Sequence, residues 1–252
     1  MADLREIVEY LDEYLDVASI PDAPGARNGL QVDGRSPVER VCAAVDATQA
    51  TIDAAAREGA QLLLVHHGLF WGDPLPVVGR TYRRLKALFD ADVAVYAAHL
   101  PLDVHPEVGN NVLLSRALGL EGEGRFGAWA GFEGVGVWCA ADLSLDALAE
   151  RVRDVCGEAP RVIPGGPPHV RRVGIVTGGA GSLIAAAHDA GLDTFLTGEG
   201  AHHTFHDAVE LGINVMYAGH YATETLGVKA LAARLADRFD LAWGFVDRPT
   251  GL

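Results

Sequence analysis

Two stretches of this chain can be laid on each other. "VERVCAAVDATQATIDAAAREGAQLLLVHH" and "VRRVGIVTGGAGSLIAAAHDAGLDTFLTGEG" align at an offset of 132 residues, so that Val38, Val41, Ile52, Ala55, Gly59 and Leu64 meet Val170, Val173, Ile184, Ala187, Gly191 and Leu196. Each stretch reads as strand, helix, strand, and each helix is followed by a glycine, the residue that best tolerates the left-handed turn after a helix. A second pair, "VAVYAAHLPLD" and "NVMYAGHYATE", aligns at an offset of 121, matching Tyr96, Ala97, His99 and Asp103 with Tyr217, Ala218, His220 and Glu224. A repeat of helix–strand units constrains the fold strongly. It predicts an α/β protein of two related lobes left by an internal duplication, each a mixed sheet flanked by helices. The division is expected at the glycine-rich stretch "LEGEGRFGAW", giving a first lobe over 1–124 and a second over 125–252.

At 252 residues and 49% hydrophobic the chain is long enough for two such cores. The opening "LREIVEYLDEYL" puts Leu4, Ile7, Val8, Leu11 and Leu15 on one face of a first amphipathic helix. No apolar run reaches the ~20 residues that a membrane span needs, and the first residues do not form a signal peptide, so a cytoplasmic protein is expected. The formal charge is −14, with 18 arginines and only Lys86 and Lys229 as lysines. That balance repels a phosphate backbone, and no nucleic-acid partner is expected. Cys42, Cys139 and Cys156 are far apart and read as reduced thiols rather than a disulfide or thiolate framework.

The residues that carry chemistry sit where the strands end. "QLLLVHHGLFW" drives a buried strand into His66-His67, which on the first alignment fall opposite Gly198-Glu199. The second alignment brings a histidine and a carboxylate four residues apart, His99 with Asp103 and His220 with Glu224, after similar strands. On a helix that spacing puts both side chains on one face, about 6 Å apart. "HYATETLGVKALAARLADRF" reads as one strong helix; in "HLPLD" Pro101 is expected to fix a turn instead. His66, His67, Asp103, His220 and Glu224 together offer three imidazoles and two carboxylates, a donor set for borderline divalent ions, and α/β sheets place ligands at strand ends.

The motifs "NGLQV", "HHGLFW", "YAAHLPLD", "GNN", "GEGRFG", "TGEG…FHDA" and "AGHYATETLGVKAL" resemble the dinuclear-metal-centre hexameric proteins, often labelled GTP cyclohydrolase type 2 homologues. The resemblance runs from Asn28 to about Leu231. It implies two divalent ions per chain (Zn, Mn, Fe or Ni) held by His66, His67, Asp103, His220 and Glu224, with Asp103 and Glu224 able to bridge. It also implies a homohexamer with metal pairs facing an internal cavity, and no inserted domain between Gly124 and Val170. Phe70 and Trp71 then wall the site. His99, Glu199 and His206 are the proton-handling candidates, while His202 and His203 read as surface residues. "TGGAGSL" lacks the full glycine pattern of a nucleotide-binding loop and reads as a tight strand-to-helix turn.

Three functions fit these residues. One is a metal-dependent hydrolase of a small phosphorylated or cyclic-amide substrate. Another is a non-catalytic metal-binding scaffold or regulator with a partner-binding cavity. The third is a nucleotide-binding module built on "TGGAGS".

Overall fold

The computed structural model describes residues 1–72 and 76–252, and the chain divides into two compact units. The first takes Met1–Leu102 and Gly227–Arg248, the second Asp103–Leu226 and Pro249–Leu252. This differs from a single division after residue 124, because the chain leaves the first unit earlier and returns to it.

In chain order the first unit begins with α1 (Leu4–Tyr14), β1 (Gly29–Val32), β2 (Arg40–Asp46), α2 (Gln49–Arg57), β3 (Leu62–His67), α3 (Gly79–Ala91), β4 (Ala94–Ala97) and the one-turn helix α4 (Leu100–Asp103). The second contains α5 (Asn110–Ala117), β5 (Gly122–Trp129), β6 (Phe132–Ser144), α6 (Leu145–Cys156), β7 (Arg161–Pro164), β8 (His169–Val176), α7 (Ile184–Asp189), β9 (Thr194–Thr197), α8 (Thr204–Leu211), β10 (Asn214–Tyr217) and the one-turn helix α9 (His220–Thr223). Helix α10 (Thr225–Phe239) and β11 (Ala242–Phe245) lead back into the first unit.

The first sheet has the order β1-β4-β3-β2-β11, the second β5-β6-β8-β9-β10-β7. The shared part is plain: β2, β3 and β4 run parallel with β1 antiparallel on β4, while β8, β9 and β10 run parallel with β7 antiparallel on β10. Register agrees with the sequence repeat, since Val41 pairs with Leu62 and Val173 with Thr194. The expected α/β architecture of two mixed sheets flanked by helices is what the chain adopts.

Buried runs such as "VCAAV" and "LLLV" are apolar on both strand faces because helices cover both. On one face of the first sheet, Cys42, Ala44, Leu63, Val65 and Val95 pack with Ile52 and Ala55 of α2 and Leu85 and Leu88 of α3. On the other, the Tyr96 hydroxyl donates to Asp12 of α1 at 2.7 Å, and Leu4, Ile7 and Leu11 of that helix are buried. In the second unit Leu148 and Val152 of α6 and Leu114 of α5 close over Val137, Val173, Ile175 and Leu196. Each fully buried Leu, Ile or Val side chain contributes about 1.5–3 kcal/mol. These layers fix the strand ends.

Three local expectations change. "GEGRFGAW" is no joint but β5, half of a hairpin with β6; its glycines sit where cross-strand side chains crowd it, as Gly124 does beneath Trp138. The span from Gly124 to Val170 is thus filled by the hairpin, α6 and β7. Pro101 does not prevent a helix, because it lies in the first turn of α4 where no N–H is needed. The long helix expected from His220 is broken at Glu224 (φ −105°), between α9 and α10. Both copies therefore follow their strand with a single helical turn.

Candidate metal centre

In the first unit, β3 delivers His66 and His67, and the turn before α4 delivers His99. One ring nitrogen of each lies within 4.8 Å of those of the other two. All three rings are held through Nδ1. His66 Nδ1 lies 2.8 Å from the Ala98 carbonyl oxygen, His67 Nδ1 2.9 Å from Asp46 Oδ1, and His99 Nδ1 2.8 Å from Asp22 Oδ1. An acceptor on Nδ1 fixes the tautomer that leaves Nε2 as the lone-pair donor, as metal-binding histidines require. Asp22 is itself fixed by Asn28 Nδ2 and by the N–H groups of Ala23 and Leu100, and the Asn28 amide oxygen accepts from His99 N–H. Burial acts to raise the Asp22 pKa, but the hydrogen bond and charge of His99, with the Asn28 and Ala23 donors, hold it below the usual carboxylate range.

The loop after His67 is shaped by "NGLQV". Gln31 Oε1 accepts from Leu69 N–H at 2.7 Å and Phe70 N–H at 3.3 Å. A Cβ on Gly68 would meet the Gln31 amide, so a larger residue there would displace the side chain that holds the loop. Phe70 then packs on the core, while Trp71 stands edge-on to His67 (centroids 6.3 Å) and His99 (4.8 Å). Trp71 does wall the histidines. Phe70 supports the loop from beneath.

In the second unit the donors collect at the end of β8. Asp103 is buried, and its Oδ1 accepts from Asn110 Nδ2 at 2.8 Å and Thr177 Oγ1 at 3.3 Å. Asn111 completes the "GNN" motif by bonding Thr177 and the Val135 carbonyl. His220 opens α9 and Glu224 ends it, with Nε2 and Oε1 3.2 Å apart. Glu199, at the end of β9, receives His220 Nδ1 at 2.8 Å. The "TGGAGSL" turn closes on this pair: Gly178 has φ +69°, its N–H donates to Thr223 Oγ1, and a Cβ there would strike Glu224 Oε1. The glycines make room for a carboxylate, as a tight turn between β8 and the single 3-10 turn Gly181–Leu183.

This donor set suits a divalent cation. Ligand atoms about 2.0–2.2 Å from one ion lie roughly 3 Å from each other, the separation of His220 Nε2 from Glu224 Oε1. The hydrogen bond to Glu224 raises the His220 pKa to about 9, with Glu224 charge and Glu199 adding to it and burial opposing it. Two carboxylates thus draw positive charge onto one imidazole, and a metal ion satisfies the same demand.

A family model described as Duf34/NIF3 (NGG1p interacting factor 3) matches residues 2–249. The chain belongs to the Duf34/NIF3 family. A GTP cyclohydrolase 1 type 2 homolog of Deinococcus radiodurans is 48% identical over 248 residues, covering 98% of this chain and 94% of the relative. One of Pseudomonas aeruginosa is 46% identical, covering 98% and 97%. Among solved structures, TTHA1606 of Thermus thermophilus matches with a TM-score of 0.90 at 47% identity, covering 99% of this chain and all of that one. Protein ybgI, described as of unknown function, matches with a TM-score of 0.92 at 37% identity over 99% of this chain and 100% of that one.

Within this Duf34/NIF3 chain, the sequence-predicted donors are His66 and His67 in the first unit and Asp103, His220 and Glu224 in the second, and His99, predicted to handle protons, lies with its ring nitrogen within 4.8 Å of those of His66 and His67. Glu199 touches His220, but His206 stands exposed on α8 with its ring edge-on to His202 and Phe205. His202 and His203 are exposed as expected. Sequence reasoning missed Asp22, Asp46, Asn28 and Asn110, which orient the donors. "NGLQV" and "GNN" pointed at the two amides. Nothing marked Asp22, in an irregular loop, or Asp46, at the end of a buried strand.

Proposed function

We propose that this protein is a dinuclear divalent-metal hydrolase acting on a small phosphorylated or cyclic-amide substrate, with His66, His67, Asp103, His220 and Glu224 as ligands and Asp103 and Glu224 as the bridging groups. The single observation that most supports this reading is that His66, His67 and His220 each have Nδ1 engaged by an oxygen, which leaves Nε2 as the atom that would bind metal, in His220 beside Glu224 Oε1 at 3.2 Å. When bound, two ions supply Lewis acidity and bring the pKa of water toward ~7. The chain's own groups do the rest. His99, fixed on Asp22, moves a proton at Nε2; Glu199 holds the His220 ring; His206 meets the leaving group. The cyclohydrolase wording in the relatives' names fits hydrolysis of a ring C–N bond, one member of the substrate class.

A homohexamer with its metal pairs facing an internal cavity is part of the proposal, from the family resemblance. Phe205 and Val209, exposed four residues apart on α8, offer apolar surface for an interface. Sedimentation showing a 26.6 kDa monomer at micromolar concentration rejects it. A cytoplasmic location accords with three free cysteines, and among the described residues no helix is long and apolar enough to cross a membrane.

The test is a screen of metal-replete protein against phosphoesters, nucleotides and cyclic amides, with Asp103→Ala as control. Turnover lost in the control is the expected result. Turnover retained in it, or none in the whole screen, rejects the hydrolase and leaves a metal-bearing scaffold.

A further inference from the structure

A cavity of 370 Å³ opens beside the "HHGLFW" loop, lined by Phe70 and Trp71 on one side and by Arg80, Thr81 and Arg84 of α3 on the other. That volume lies in the range of small-molecule sites, about 300–1,000 Å³. Arg80 and Arg84 are four residues apart and so share one face of the helix. The first turn of α3 has no acidic side chain. Among the described residues neither arginine is in an ion pair, whereas Lys86 on the same helix is neutralised by Asp90 at 2.6 Å. Burial, and then the charges of Arg80 and Arg83, hold the Arg84 pKa below its usual value. Concentrated positive charge is unusual in a chain with a net charge of −14. An anion in the cavity relieves the repulsion and accepts from both guanidinium forks. Trp71 joins this cavity to the histidines, since the same ring that lines it stands edge-on to His67 and His99.

We propose that this cavity is the substrate's phosphate subsite: Arg80 and Arg84 bind a terminal phosphoryl or diphosphoryl group, and Trp71 packs against the organic part, whose reactive end reaches His67 and His99. The inference rests on the hydrolase reading and narrows its substrate class to phosphorylated small molecules rather than neutral cyclic amides. A local positive field of this kind favours an anionic substrate against the net negative charge of the whole chain.

The test is a calorimetric titration of metal-free protein with inorganic pyrophosphate, with acetate as a control anion. Wild type, Arg84→Gln and the double variant Arg80→Gln/Arg84→Gln are compared, each first shown to melt cooperatively and to take up wild-type amounts of metal. Saturable binding of pyrophosphate in preference to acetate is expected, weakened about tenfold or more in Arg84→Gln and lost in the double variant. Absence of binding, equal affinity for acetate, or equal affinity in the double variant overturns the subsite. Pyrophosphate binding that needs metal and ignores the arginines also overturns it, while leaving the metal reading intact. Arginine-dependent binding by protein that never takes up metal rejects the metal reading and keeps the anion site.

Discussion

The ends of β3 and β9 occupy corresponding places in two sheets of the same topology, yet they carry different chemistry. The first ends in His66-His67, the second in Gly198-Glu199. At the second site Glu199 orients His220, the counterpart of His99. At the first, His67 occupies the matching position, and the carboxylate that orients His99 comes from Asp22 in the loop before β1. Asp46 and Gly178 show the same exchange: the aspartate orients His67, and the glycine clears space for Glu224. Corresponding strand ends thus carry different groups, two imidazoles at the end of one strand and a glycine and a carboxylate after the other.

The largest expected effect comes from closing the space that distinguishes the second copy. Gly178→Val forces a Cβ onto Glu224 Oε1 at φ +69°. A β-branched residue at positive φ costs about 1–3 kcal/mol in strain alone. The thermal midpoint should fall by several degrees and metal content by at least half. Gly68→Ala, next to Gln31 in the first copy, should displace the loop without removing a ligand, so unchanged metal in Gly178→Val breaks the comparison.

Removing the orienting groups should have a smaller effect. Asp46→Asn and Glu199→Gln should each weaken metal binding about 10–100-fold in competition with a chelator, while still filling in excess metal. Asp22→Asn should leave metal affinity within about twofold and lower turnover instead, because it acts through His99. A loss of metal in Asp22→Asn equal to that in Asp46→Asn would make His99 a ligand and the two copies more alike.

The smallest effect is in pH dependence, and it has a definite sign. The His220 pKa is raised from 6.5 to about 9 in the metal-free chain. Its stabilising contribution is therefore complete below about pH 6.5 and is lost as pH rises through about 9. Metal needs the deprotonated ring, so binding at pH 7.5 should release a proton, read by calorimetry in buffers of different ionisation enthalpy. Protein lacking metal should melt lower at pH 9.5 than at pH 6.5, and His220→Gln should flatten that slope.

Much of this was legible in the sequence because strands buried on two faces and glycine-ended helices leave a strong periodic record. The repeats placed β2, β3, β8 and β9, with His66-His67 at the end of β3. Hydrogen-bonded orientation leaves no such record. Asp22 and Asp46 reach their partners by tertiary approach across 77 and 21 residues. The glycines of "GEGRFGAW" suggested a joint, because crowding by Trp138 and not flexibility is what requires one of them. Pro101 misled for a simpler reason: its place in the first turn costs a helix nothing.

The central claim is that one chain binds two divalent ions through donors divided between the copies. Elemental analysis of protein purified without chelator tests it directly, on wild type, His67→Ala and Glu224→Ala. We expect about two equivalents per chain in wild type and a clear drop in each variant, the larger for Glu224→Ala if that carboxylate bridges as proposed. One equivalent or less in wild type, or wild-type content in both variants, would contradict the account.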